Sequence, residues 1–213
     1  MVVSCCGTGP ASHVAPVSPP GVVLAVGGGG TPAVALQRGL QGAPRSEGGP
    51  RVAVVPFASG REDRGQETVE MWREAGAPSV ALVPEDEGAR ALLESADLIW
   101  LGGGSQTRLM ESLERLELVE LIQDRHRAGA LVGGTSAGAA VLGGIMISGD
   151  PEPDAYTGGA MAPVRSLELI PGVIVDQHFR ERRREGRLIS ALLDRPAGWV
   201  GVGISEATAA VFE

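Results

Sequence analysis

Several short apolar runs in this chain stop abruptly at glycine, and that pattern restricts the fold more than any other feature. Val22-Val23-Leu24-Ala25-Val26 ends at Gly27 to Gly30. Leu98 to Leu101 (LIWL) meets Gly102-Gly103-Gly104, and Ala130 to Val132 meets Gly133-Gly134. Apolar runs of this length, bounded by turn residues, read as buried strands. Arg51 to Phe57 (RVAVVPF), Val173-Ile174-Val175 and Val200 to Ile204 read the same way. Helical patterns lie between them: Glu67 to Ala75, Glu87 to Ser95, Thr107 to Ala128 and Gly186 to Leu193. Strands alternating with helices predict an α/β fold, a mostly parallel sheet covered by helices on both faces. Such sheets bind ligands at the C-terminal ends of their strands, so the three glycine clusters are expected to share one rim.

A chain of 213 residues, 43% hydrophobic, can bury a sizeable core. Residues 1–20, rich in Ser, Pro, Gly and Ala and without periodicity, read as a disordered leader; residues 21–213 read as one catalytic domain. A net charge of −8 argues against nucleic acid, whose phosphates require clustered Lys and Arg, and leaves basic substrates open. No apolar run approaches the length of a transmembrane helix. Cys5 and Cys6 are adjacent in the leader and can neither staple the domain nor build a metal site; no metal or other cofactor is expected.

Gly134-Thr135-Ser136-Ala137-Gly138 has the form G-x-S-x-G, placed after a predicted strand and before a small-residue run that can start a helix. That is the context of a nucleophile elbow, a strained turn that lifts a serine above the sheet edge. A serine hydroxyl needs a base. His13 lies in the leader. His126, among Asp124, Arg125 and Arg127, reads as a solvated helix residue. His178, after the apolar strand Val173 to Val175, is left by elimination. The carboxylate that would orient the imidazole stays open. Glu206 follows the strand Val200 to Ile204; Asp150, Glu152 and Asp154 follow the elbow; Asp176 precedes the histidine by two positions. The run Arg180 to Arg187 reads either as a solvated charged helix start or as a source of guanidinium clamps for a substrate carboxylate.

Gly133 to Ala139, followed by Pro171-Gly172-Val173-Ile174-Val175-Asp176-Gln177-His178-Phe179, resembles the cyanophycinase-like serine peptidases, the family that also holds dipeptidase E. Arg182, Arg184, Gly186, Arg187 and Leu188 continue the likeness. So do Gly203-Ile204 with Glu206 to Ala209, and Gly102-Gly103-Gly104 with Gln106 and Arg108-Leu109. The resemblance covers about residues 21–213. It implies a class I glutamine amidotransferase-like fold and a metal-independent hydrolase acting on peptides or a cyanophycin-like polymer, often as a homodimer. Carried over by position, Ser136 is the nucleophile and His178 the base, with Glu206 as the acid and Asp154 as its competitor. Ala137 with Gly103 or Gly104 would form the oxyanion hole. Gln106, Asp176, Gln177, Arg182, Arg184 and Arg187 would form the substrate pocket.

The sequence departs from that pattern in three places. The first glycine run leads to Thr31 without acidic residues, Ser205 stands where an acid often precedes Glu206, and the chain stops at Glu213 where relatives continue. A C-terminally shortened domain is therefore expected. Val2-Val3-Ser4-Cys5 weakly resembles the end of a lipoprotein signal, so export is an expectation beside a default cytoplasmic location. Two readings compete: an ordinary α/β-hydrolase esterase, which the short spacing from Ser136 to His178 disfavours, and a non-catalytic binding domain on the same fold.

Overall fold

The computed structural model describes residues 20–44, 46–61, 63–148 and 163–213. The expected leader and Asp150, Glu152 and Asp154 lie outside them. Six strands form the first sheet: β1 (Val23–Val26), β2 (Arg51–Val55), β3 (Ser79–Leu82), β4 (Leu98–Leu101), β5 (Leu131–Thr135) and β10 (Ala209–Phe212), in the order β10-β1-β5-β4-β2-β3. Every pairing in it is parallel except β1 with β10.

Alternation along these strands builds two cores. Val23, Ala25, Ala53, Val55, Ile99, Leu101 and Val132 face one side. They pack there with α3 (Ala89–Ser95), α4 (Gln106–Arg115), α5 (Val119–Arg127) and the short α6 (Ala137–Ala140). Leu24, Val26, Val52, Val54, Leu98, Trp100 and Leu131 face the other, under α1 (Ala33–Gly42) and α2 (Asp63–Glu74). Trp72 of α2 meets Trp100 edge-on, ring centres 5.1 Å apart. Helices thus cover both faces, as a buried parallel sheet requires.

The remaining described strands form a second sheet that the apolar runs did not foretell: β6 (Gly143–Ile147), β7 (Pro163–Val164), β8 (Ile170–Gln177) and β9 (Val200–Ile204), in the order β7-β6-β8-β9. Helix α7 (Glu185–Leu193) packs on it through Leu188 and Ala191. Strands β8 and β9 run parallel with Gln177 opposite Ile204, so the residues that follow each emerge at one level.

Two expectations need correction. Thr107 to Ala128 is two helices, parted where Glu117 takes a φ of 53°. His126 is not a solvated residue. It is buried, and its Nε2 lies 2.7 Å from Gly21 O, while Gly21 N–H donates to His126 O at 2.8 Å. The histidine pins the chain at Gly21 to α5. Burial pushes its pKa below the ordinary value, with nearby Arg127 acting in the same direction and the bond to Gly21 opposing.

Candidate active site

The end of β1 organises the site. Three successive carbonyls there receive the backbones of three separate segments. Val26 O accepts from Ser136 N–H at 2.9 Å, Gly27 O from His178 N–H at 2.8 Å, and Gly28 O from Ala207 N–H at 2.9 Å. The second sheet is thereby stitched to the first where β5, β8 and β9 end. Parallel strands bring their C-terminal ends to one edge, and these bonds fix the height at which each following side chain leaves it.

Ser136 occupies the turn between β5 and α6 with φ 53° and ψ −113°, a conformation that costs about 1–3 kcal/mol for a non-glycine residue. The elbow closes because its flanks have no side chains: a Cβ on Gly134 would lie 2.5 Å from the Gly138 carbonyl carbon. Ser136 Oγ is 2.9 Å from His178 Nε2, and His178 Nδ1 is 2.5 Å from Glu206 Oε1. This order fixes the tautomer: Nδ1–H donates to the carboxylate and Nε2 is free to accept the serine proton. Glu206 is steadied in turn, its backbone N–H donating to Glu181 Oε2 at 3.0 Å. That bond holds the Glu181 carboxyl below the usual carboxylate range. Gln177 Oε1 lies 3.4 Å from Ser136 Oγ, too long to compete with the bond to the imidazole.

The relay opens into a cleft of about 740 Å³. Gly28, Gly29, Gly30 and Thr31 form one wall, Gly102, Gly103 and Gly104 another, and Trp100 lines it beside Thr135. The expected shared rim is right for two glycine clusters. Gly133 and Gly134 instead lie within β5, beneath the elbow. The turn after β4 is tethered by Gly102 N–H to Val55 O at 3.0 Å and Ser105 N–H to Ala58 O at 2.9 Å. These bonds carry Gly103 past the serine, so that a Cβ there would touch Ser136 Cβ at 3.4 Å.

The expected substrate residues divide. Gln177 and Arg182 stand beside the relay: Gln177 through its amide oxygen, Arg182 as an exposed residue whose N–H donates to His178 O at 3.0 Å. The other four are buried and bonded within the protein. Gln106 is 6% exposed, and its Nε2 donates to Ile147 O at 2.9 Å, tying α4 to β6. Asp176 and Arg187, 1% and 2% exposed, form a two-pronged ion pair, with Arg187 Nε donating to Asp176 Oδ2 at 2.7 Å. Arg184 Nη1 donates to Gln177 O at 2.6 Å. Asp176, Arg184 and Arg187 clamp the strand end that delivers Gln177 and His178, and none of the six expected substrate residues is among those lining the cleft. The sequence reading missed Arg61, Arg64, Glu67 and Arg108, which do border it. Arg108 was visible in the glycine–glutamine turn, but its orientation depends on the loop after β2.

A hydroxyl, an imidazole and a carboxylate thus stand in hydrogen-bonded series, above a parallel sheet and at a short helix, an arrangement with the geometry of a hydrolytic relay. The sequence matches Peptidase family S51 over residues 23–213, and the chain belongs to that family. It is 40% identical to a cyanophycinase of Trichormus variabilis over 172 residues, 76% of this chain and 57% of that protein. It is 29% identical to a peptidase E of Haemophilus influenzae, over 71% of this chain and 72% of that one. The chain spans between half and two thirds of the length of the cyanophycinases it matches. Two solved structures share the fold, each with a TM-score of 0.63 over 91% of this chain. A peptidase from an acI-B1 Actinobacterium is 24% identical over 84% of its own length, and a putative peptidase E of Listeria monocytogenes 19% over 95%. Among the described residues no helix is long and apolar enough to cross a membrane.

Proposed function

We propose that the chain is a serine peptidase that cleaves aspartyl peptide bonds, with β-aspartyl-arginine units of a cyanophycin-like polymer as substrate. The observation that carries the reading is the continuous series Ser136 Oγ, His178 Nε2, His178 Nδ1 and Glu206 Oε1 at 2.9 and 2.5 Å. Ser136 Oγ attacks the scissile carbonyl while its proton passes to His178 Nε2. Glu206 stabilises the imidazolium so formed. Negative charge develops on the carbonyl oxygen, where the N–H of Ala137, at the start of α6, and that of Gly103 or Gly104 serve as donors. His178 returns its proton to the departing amine, leaving an acyl group on Ser136. Water, deprotonated by the same imidazole, then releases the acid and restores the serine.

The substrate rests on the likeness to the cyanophycinases and on Gln177 and Arg182 beside the relay. Incubation with cyanophycin, with aspartyl dipeptides and with simple esters tests it. The expected result is release of β-aspartyl-arginine, absent in Ser136→Ala. A clear preference for esters, or turnover confined to α-aspartyl dipeptides, overturns the substrate assignment; undiminished turnover in Ser136→Ala overturns the mechanism.

A further inference from the structure

The charge lining the cleft runs against the charge of the chain. The protein carries a net −8, yet the cleft is bordered by three arginines, Arg61, Arg64 and Arg108, against a single glutamate, Glu67. Two of the arginines are already engaged. Arg61 Nε donates to Asp63 Oδ1 at 2.9 Å and its Nη2 to Glu67 Oε1 at 3.3 Å; Arg64 Nη1 lies 3.6 Å from Glu67 Oε2. Arg108 differs: among the described residues its guanidinium has no carboxylate within ion-pair distance.

Arg108 is exposed, and its backbone rather than its guanidinium is tied down. Its backbone N–H donates at 3.3 Å to Ser105 Oγ, the N-cap of α4, so it is anchored to the glycine turn that passes Ser136. Its guanidinium lies against Gly60 in the loop after β2, where an added Cβ would fall 2.9 Å from Nη1. Gly60 thus leaves the space the guanidinium fills.

We propose that Arg108 is the residue that selects a carboxylate on the substrate, through the planar fork that guanidinium presents to such groups. The inference rests on the peptidase reading and deepens it. A β-aspartyl-arginine unit of the polymer carries a free α-carboxylate on its arginine, and that group meets Arg108 while the aspartyl α-carbonyl meets Ser136. The net negative charge left basic substrates open; at the site the anchor is for an anion, and Glu67 is already paired with Arg61 and Arg64.

The test compares a β-aspartyl-arginine dimer with the same dimer amidated at its carboxylates, in wild type, Arg108→Ala and Arg108→Lys. Wild type is expected to favour the free carboxylates by about 10- to 100-fold in kcat/KM, the worth of a charge-assisted hydrogen bond to a guanidinium. Arg108→Ala collapses that preference to within about twofold, and Arg108→Lys, which keeps the charge but not the fork, recovers only part of it. A preference that survives Arg108→Ala, both substrates falling by one factor, overturns the proposal. Calorimetric titration of the dimer and its amide into Ser136→Ala, with and without Arg108→Ala, gives the same comparison without turnover. Wild type that hydrolyses neither substrate defeats the peptidase reading, whereas Arg108 is then judged on binding alone, where equal affinity for dimer and amide overturns it.

Discussion

Replacing Gly28 with alanine should disable the relay while leaving the protein folded. Gly28 has a φ of 99°, and a Cβ there would overlap the His178 ring, with Cε1 and Nε2 both under 3.0 Å and Nδ1 at 3.0 Å. Ordinary carbon contacts begin near 3.5 Å, so the imidazole must retreat by about 1 Å or more. It cannot do so and keep both bonds, to Ser136 Oγ at 2.9 Å and to Glu206 at 2.5 Å. A misplacement of about 1 Å costs roughly 100-fold in rate. The left-handed backbone adds about 1–3 kcal/mol of instability, a fall in Tm of roughly 2–4 °C per kcal/mol in a domain of this size. Gly76→Ala separates the two effects: its φ is 94°, but nothing lies within 4 Å of the added Cβ, and it sits between α2 and β3 at the opposite edge of the sheet. Both variants should melt early, and only Gly28→Ala should lose kcat, measured on β-aspartyl-arginine release. Wild-type kcat in Gly28→Ala would refute the geometry, as would an equal loss in Gly76→Ala.

Other expectations follow from the buried polar groups. Arg187→Leu leaves the Asp176 carboxylate, at 1% exposure, with only the Gln177 N–H and the longer pair to Arg184 at 3.6 Å, and should cost up to about 3–5 kcal/mol in urea unfolding; a loss under about 1 kcal/mol would mean the pair is not structural. His126 has a folded pKa depressed below 6.5, so the folded state binds fewer protons than the unfolded one. Its contribution is present above about pH 6.5 and lost as pH falls through the folded value. Wild type should therefore lose stability on acidification more steeply than His126→Gln, and parallel pH profiles would count against it.

The sequence reading succeeded where local chemistry decides and failed where tertiary contacts do. Strand β4 was legible to the residue because an uninterrupted apolar run has no other burial to seek; β9 was equally legible although glycines alternate with its apolar residues and only Ile204 is buried. The turn at Ser136 and the approach of His178 to it were legible because glycine-flanked serine and a histidine ending a core strand have few alternative placements. The break between α4 and α5 was hidden, since Leu116, Glu117 and Leu118 continue the apolar period and the left-handed residue is a glutamate rather than glycine or asparagine. The arginine run shows the limit most clearly. Arg180, Arg182 and Arg183 are exposed, as a charged run usually is, whereas Arg184 and Arg187 turn inward to Gln177 O and Asp176. Only the packing of α7 on β8 separates the two sets. Glu206 could not be preferred over Asp154 or Asp176 from spacing, because its place depends on the register of β8 with β9 and on the bond from Ala207 to Gly28.

The central claim is that the relay makes Ser136 a nucleophile, and covalent labelling with a fluorophosphonate tests it most directly. The account predicts one adduct, found by mass spectrometry on the peptide containing Ser136 and absent in Ser136→Ala. Its rate of formation should fall by about 100-fold or more in His178→Ala, the usual worth of a positioned general base. An adduct on another residue, or labelling of Ser136 at an undiminished rate without His178, would contradict it.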